Sequence, residues 1–285
     1  MATRIPRHDF PTDSAAEVME PVVAAAQDAI EGIEASEDDR WDALPSALSA
    51  AKWHCLQDSV AGDLRTWESW VLAMQVGSAL FAAGTAQEGP VTCRVGTLDE
   101  VRKLPATGPQ DYLHAGNWLT AFYLALICRE NERVNQLAQV PVEFLRASGA
   151  EFDEYVYTWI ETLQTFWLGG SELDRKLLAA VDGTDPEAVT DPETVCKLLY
   201  PPMEMSHRIV RKDHEGFNRA LADALRFHKE YGSEEDRAFT IPGLVALAPL
   251  AIACFAHDAG IPIEVESEYL PATLLGRNWC GEFPT

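Results

Sequence analysis

The stretch YLHAGNWLTAFYLALICR, residues 112–129, decides the fold class of this chain. Its large apolar side chains, among them Leu119, Phe122 and Leu126, recur every three or four residues, which is the spacing of one face of an α-helix. Alanine and cysteine keep the other face small, so the segment is apolar almost all round. Since a helix of this kind is buried on every side, we expect it to be a central helix of the protein.

Helix signals lie on both sides of this segment, and strand signals are limited to Val91–Val95 and Ile261–Val265. The segment Tyr200-Pro201-Pro202 should break or bend what precedes it, because a residue before proline avoids the helical conformation. Caps, prolines and apolar periodicity predict further helices from a Ser14–Glu17 capping box to about Ile33, after Pro45, from Asp63 to Gly84, from Asp153 to Leu168 and from Glu215 to Tyr231.

Helices joined by so few residues must turn back on one another as antiparallel hairpins. The sequence therefore predicts an all-α protein, an array of antiparallel helical hairpins with negligible strand. We expect one helical domain over residues 1–285, with a weakly bilobed division into 1–105 and 106–285 as the alternative. A degenerate tetratricopeptide-like superhelix fits the hairpin size, but no fixed period supports a regular solenoid.

The charge of the chain is strongly unbalanced. It carries 45 acidic against 22 basic side chains, a formal net charge of −23. Such a surface potential raises the rate of encounter with basic partners. It repels phosphates, so we expect no direct binding of nucleic acid.

The N-terminus and the cysteines favour a cytoplasmic protein. No apolar segment follows Arg4 and Arg7, which argues against a signal peptide. The longest apolar run, Gly243–Ala256, contains Pro249 and is shorter than the roughly 20 residues that span a bilayer, so we expect a buried core helix and no membrane partner. The six cysteines are scattered without a C-x-x-C motif, and we expect them to be reduced.

No motif indicates catalysis. The sequence has no G-x-S-x-G, no H-E-x-x-H and no glycine-rich phosphate loop. His207 and His214 are seven residues apart and could share a helix face, but the predicted helix break near Asp213 argues against a ligand pair. We therefore expect no enzymatic activity, no metal and no cofactor.

The segment Glu264-Val265-Glu266-Ser267-Glu268 alternates acidic residues with others. In an extended chain alternate side chains point to one side, about 6.6–6.8 Å apart, so Glu264, Glu266 and Glu268 would form a row while Val265 faces the protein. Such a row could receive Lys or Arg side chains of a partner, and it could hold a divalent cation. The alternative is an acidic face that only contacts solvent.

A second candidate is Asp213-His214-Glu215, which precedes Gly216 at a predicted helix start. These residues could form an acid–base pair. The simpler interpretation, which we favour, is that Asp213 caps the helix and Glu215 complements its dipole.

Long runs in the second part of the chain are similar to a known family. They include NWLTAFYLALICREN (117–131), KDHEGFNRALADAL (212–225) and GLVALAPLAIACFAHDAGIPIEVESEYLP (243–271), and the PIEVESEYLP segment with the terminal GEFPT is the most distinctive. These runs resemble the immunity protein 49 family of bacterial polymorphic-toxin systems. The first 100 residues match less clearly.

The resemblance implies an all-α cytoplasmic immunity protein that binds and neutralises a cognate protein toxin and catalyses nothing itself. With the charge, it points to a basic toxin, for example a nuclease. The resemblance assigns no contact residues, so the predicted partner-binding residues come from the two acidic segments alone: Glu264, Glu266, Glu268, Asp213, His214 and Glu215. The alternatives are a helical-repeat adaptor that binds a protein or peptide, and an enzyme that uses carboxylates and a metal.

Overall fold

The computed structural model describes residues 2–10, 15–96, 100–282 and 285. Helices account for 63% of the structure and strands for 4%. The prediction of an all-α protein with negligible strand is therefore confirmed.

The described residues form helices of 3 to 22 residues and strands of 2 to 4 residues. The helices are α1 Ala15–Gly32, α2 Glu37–Gln57, α3 Leu64–Thr85, α4 Ala115–Cys128, α5 Asn131–Ala138, α6 Val142–Arg146, α7 Glu154–Leu168, α8 Leu173–Asp182, α9 Pro192–Thr194, α10 Tyr200–Val210, α11 His214–Gly232, α12 Leu247–Asp258 and α13 Ala272–Leu275. The strands are β1 Thr3–Arg4, β2 Val91–Arg94, β3 Val101–Leu104 and β4 Val265–Glu266.

The first three helices pack consecutively, α1 on α2 and α2 on α3. The prediction that the second helix follows Pro45 is wrong, because α2 begins eight residues earlier at Glu37. There the Ser36 hydroxyl caps the helix by accepting the Asp39 backbone N–H at 3.1 Å. Pro45 lies on the exposed side within α2, and the helix continues past it although it supplies no backbone N–H. The Ser14 capping residue and the Glu17 side chain are outside the described part of the chain.

Helix α4 lies at the centre of the molecule, as predicted from its apolar residues on almost every side. Trp118 is fully buried, and its indole N–H donates to the Leu137 carbonyl at 2.9 Å. On one side α4 packs against α3, and on the other against α12, more than a hundred residues later. In a regular solenoid each unit touches only its neighbours, so this contact departs from that pattern. The hydrophobic core runs from Ile5 to Leu274 and includes residues on both sides of position 105.

The Pro201-Pro202 pair changes the helix type without ending the helical segment. Residues Val195–Leu199 form a π-helical turn, and α10 follows directly from Tyr200. Both prolines lack the backbone N–H that would continue the hydrogen-bond pattern of the preceding helical turn. The predicted bend before the prolines is therefore a local change of hydrogen-bond pattern.

The first predicted strand segment, Val91–Val95, contains β2, whereas only Val265 of the second, Ile261–Val265, lies in a strand, β4. Strand β2 pairs antiparallel with β3, and Val91 lies opposite Leu104. Strand β4 pairs parallel with β1, so that the N-terminal residues Thr3 and Arg4 lie beside Val265 and Glu266. This second pair holds the N-terminus against the C-terminal part of the chain.

Among the described residues, the stretch Ile241–Asp258 is long and apolar enough to cross a membrane by length and composition. In the structure it is a 3₁₀ turn, Ile241–Leu244, followed after a break by α12. Leu250, Ala251 and Cys254 of α12 are fully buried in the core. The prediction of a buried core helix in this run is confirmed.

Candidate partner-binding surface

The first candidate, the Glu264–Glu268 segment, is extended at its beginning. The Thr3 backbone N–H donates to the Glu264 carbonyl at 2.8 Å and the Ile5 N–H to the Glu266 carbonyl at 3.0 Å. Val265 is 5% exposed, while the Glu264 and Glu266 side chains face solvent. The local sequence folds this way because a β-branched apolar residue alternates with two carboxylates along a strand.

Glu268 differs from its two neighbours because the chain turns there. It is half-buried, and its Oε2 accepts the Arg7 backbone N–H at 3.1 Å. Burial alone would raise its pKa, but backbone N–H groups and the charges of Arg7 and Arg4 outweigh burial, so the pKa of Glu268 lies below its ordinary value. Glu268 therefore anchors the N-terminal segment, and the free carboxylates of the row are Glu264 and Glu266.

The second candidate begins with a helix cap. Asp213 Oδ1 accepts the Gly216 backbone N–H at 2.8 Å, and Oδ2 accepts from the Arg208 guanidinium at 3.0 Å. The hydrogen bond from Gly216, followed by the one from Arg208, lowers the pKa of Asp213. The interpretation of Asp213 as the N-cap of α11 is therefore confirmed.

The two residues after the cap are exposed and serve α11 itself. Glu215 is ion-paired with Arg219 one turn later, and the His214 carbonyl accepts a hydrogen bond from the Asn218 amide at 3.0 Å. No hydrogen bond or ion pair joins the described side chains of Asp213 and His214, so the geometry contains no acid–base pair here.

Asn218 brings the two candidate segments together. This residue is 9% exposed, and its amide donates to the Pro262 carbonyl at 2.8 Å. Its Oδ1 accepts the Glu264 backbone N–H at 2.7 Å. The start of α11 and the start of the acidic row therefore lie on one continuous part of the surface. Basic side chains lie within it, since Arg4 neighbours Glu266 across the strand pair and Arg208 contacts Asp213.

A more acidic surface, which the predicted residues miss, lies on the α1–α2 hairpin. From residue 8 to residue 39 the sequence has ten carboxylates and no lysine or arginine, a signal that the sequence alone carries. The next base, Arg40, is 8% exposed and donates to the Ile33 carbonyl at 3.1 Å. Beside it Trp41 is 53% exposed between Asp38 and Asp42, which also face solvent.

The buried thiols are poorly suited to nucleophilic chemistry. Burial raises the pKa of Cys55 and of Cys254 to about 12, and the pKa of Cys128 is also raised, so these groups are protonated at neutral pH. The six cysteines are free. Within the described ranges no group of three or more His, Cys, Asp or Glu side chains could hold a metal ion.

Comparison with known proteins gives one positive result. A family model described as immunity protein 49 matches residues 58–274, about three quarters of the chain. No curated protein and no solved structure matches. A match of this extent defines the class of protein as an immunity protein. The chain belongs to the immunity protein 49 family.

Family membership indicates an immunity protein for a toxin and suggests a role without catalysis. The match begins at residue 58, so β1, α1 and α2 precede it. The core helices α3, α4, α11 and α12 lie inside the matched range, as do both predicted acidic segments.

Proposed function

We propose that this protein neutralises a basic toxin by binding it through an acidic surface, in the cytoplasm and without catalysis. Family membership supplies the toxin as the partner class. The observation that carries the basic character is the net charge of −23, because opposite charge on the partner accelerates encounter and disfavours wrong partners.

Ion pairs within the chain leave its negative net charge unchanged. Arg208, Arg219 and Arg226 are each held by carboxylates of the same chain, so the charges of these three side chains are neutralised within the chain. Glu264 and Glu266 remain exposed, and no ion pair joins them to a described basic side chain. They are therefore the residues of the predicted set that we assign to the toxin contact.

A toxin that cleaves nucleic acid fits this surface best. Nucleases hold phosphates in basic clefts, and an acidic protein that covers such a cleft competes with the substrate for the same charges. The same charge disfavours nucleic acid and anionic membranes as ligands of the immunity protein itself.

The proposal is tested by co-expression. The reading frames beside the gene are expressed in a heterologous bacterium with and without this protein. We expect one of them to be lethal alone and harmless together with it. If every such pair kills equally in the presence and absence of the protein, the proposed function is wrong.

The contact residues are tested with charge reversal. Glu264→Lys with Glu266→Lys should weaken toxin binding at least tenfold, because it puts repulsion in place of attraction. The matched control is Glu234→Lys with Glu235→Lys, two exposed acids with the same change of net charge. Equal affinities of the two double variants, measured by calorimetry with the purified toxin, would remove Glu264 and Glu266 from the interface.

A further inference from the structure

A trough of about 790 Å³ runs along α2 between α1 and α3. Its lining spans Met19–Gln27 on α1, Ala47–Gln57 on α2 and Arg65–Leu72 on α3. At 1.5 Å per residue these segments are about 10–15 Å long. Two turns of another helix, with anchors at i, i+3 or i+4, and i+7, have the same length.

The lining of the trough is mainly apolar, and several of its side chains are small. Val23 and Leu72 line opposite walls, and Ala24, Ala47 and Ala50 leave space for the backbone of a partner to approach. The charged side chains of the lining are Glu20, Glu68 and Arg65. His54 also lines the trough, and burial followed by the charge of Arg65 lowers its pKa, so it is neutral at pH 7.

The helices that form the trough are strongly acidic. Residues 15–85 contain twelve carboxylates and three basic residues. Two of those bases are buried, Arg40 at 8% and Lys52 at 7% exposure, so Arg65 is the exposed one among the described residues of this range. An apolar segment that enters the trough is therefore complementary in charge if its flanks carry Lys or Arg.

The position of the trough in the chain bears on specificity. Two of its three walls, α1 and α2, precede the part that the family model matches, and the third, α3, lies within it. Specificity is a difference between affinities for alternative partners. The trough combines one helix from the matched range with two helices that lie outside it.

We infer that the trough between α1 and α3 is the docking site for an amphipathic helix of the toxin, with an apolar face and basic flanks. This inference rests on the proposed function, since it names the part of the toxin that the protein binds. Arg7 joins α2 to the acidic row, because its side chain donates to the Cys55 carbonyl at 3.2 Å and its backbone N–H to Glu268.

The decisive variants are Ala24→Trp and its control, Ala25→Trp. Both alanines are exposed on α1, but only Ala24 lines the trough. An indole at position 24 fills the space, while an indole at position 25 leaves it open. Gln27→Trp, one turn further along the same wall, is a second blocking variant at an exposed position. Far-UV circular dichroism and urea midpoints establish that each variant is folded.

The first measurement uses a defined probe. It is a fluorescent 18-residue peptide with leucine on one helical face and lysine elsewhere, and the comparison peptide has glutamate in place of lysine. We expect the Leu/Lys peptide to bind the wild-type protein and Ala25→Trp equally, and Ala24→Trp and Gln27→Trp at least tenfold more weakly. Equal affinity for all four proteins, or equal binding of the Leu/Glu peptide, would overturn the inference.

The second measurement uses the toxin identified by co-expression. Loss of protection by Ala24→Trp, with protection retained by Ala25→Trp, supports the inference. Protection by both variants overturns the inference and leaves the proposed function intact. Failure of the wild-type protein to protect contradicts the proposed function, and the peptide measurement then decides whether the trough binds an amphipathic helix. A dimer in sedimentation experiments that Ala24→Trp dissociates would place a second copy in the trough instead and also overturn the inference.

Discussion

The side chain of Arg129 should be the largest single polar contribution to the stability of this fold. Arg129 ends α4 in the left-handed conformation, at a φ of 59°. Its guanidinium contacts two later segments of chain: Nε donates to Asp258 at 3.0 Å, Nη1 to the Leu274 carbonyl at 2.7 Å, and Nη2 to the Leu275 carbonyl at 2.7 Å. The side chain of Arg129 is 7% exposed. It therefore ties the central helix to α12 and α13.

The expected cost of Arg129→Ala follows from these contacts. A hydrogen bond that involves a charged group contributes about 1.5–3 kcal/mol, and removing one member of a buried pair costs about 3–5 kcal/mol because the partners are left without bonds. The contacts are not additive, and Asp258 is a quarter exposed and can be rehydrated. We expect a loss of about 3–4 kcal/mol, a large part of the roughly 5–15 kcal/mol that holds a domain together.

Urea unfolding followed by circular dichroism measures this loss. Arg175→Ala is the matched control, because Arg175 is exposed and its ion pair with Glu172 lies in solvent, so its loss should leave the free energy of unfolding almost unchanged. Arg129→Lys should fall between the two, since an ammonium cannot reach both carbonyls and the carboxylate. If Arg129→Ala loses less than about 1 kcal/mol, or no more than Arg175→Ala, the network does not stabilise the fold as argued.

Two further predictions concern stability. Burial, then the charge of Lys52, lowers the pKa of His228 to about 4. The unfolded state keeps a pKa near 6.5 for this residue and therefore binds the proton more readily. The free energy of unfolding should keep its full value above pH 6.5 and decline by up to about 3 kcal/mol as the pH falls to 4. Urea unfolding at pH 7 and pH 4.5 should show a smaller decline in His228→Gln than in the wild-type protein, and an equal decline contradicts the assignment. Gly77→Ala should lower the melting temperature, because the new Cβ would lie 2.9 Å from Ala121 Cβ across the α3–α4 contact. The cost of overpacking, about 1–3 kcal/mol, exceeds the gain in helix propensity on replacing glycine with alanine. A higher melting temperature would show that the two helices separate at little cost.

Local signals predict the helices well where they agree with one another. An apolar face and two glycines predict a helix from Asp153 to Leu168, and α7 spans Glu154–Leu168. At the second helix two local signals disagree. Proline argues for a start at Pro45, but the Ser36 cap and the acids behind it favour the earlier start that the structure has.

The candidate site is less predictable, because its properties depend on contacts between distant parts of the chain. Alternation correctly places Val265 inside and Glu266 outside. It cannot reveal that Glu268 is held by Arg7, 261 residues away, and so is not equivalent to the other carboxylates. A sequence pattern cannot predict the trough either, because its walls come from three helices whose relative placement sets its width.

The charge and the trough should control different steps of toxin binding. Exposed carboxylates act at a distance of about a Debye length, roughly 8 Å at physiological salt, and so affect mainly the rate of association. Apolar contacts in the trough form only after docking, and they set the lifetime of the complex. Raising the salt concentration should therefore slow association with little change in dissociation, whereas Ala24→Trp should accelerate dissociation with little change in association. An association rate that is insensitive to salt would show that the surface charge does not guide association, and the trough would remain as the source of recognition.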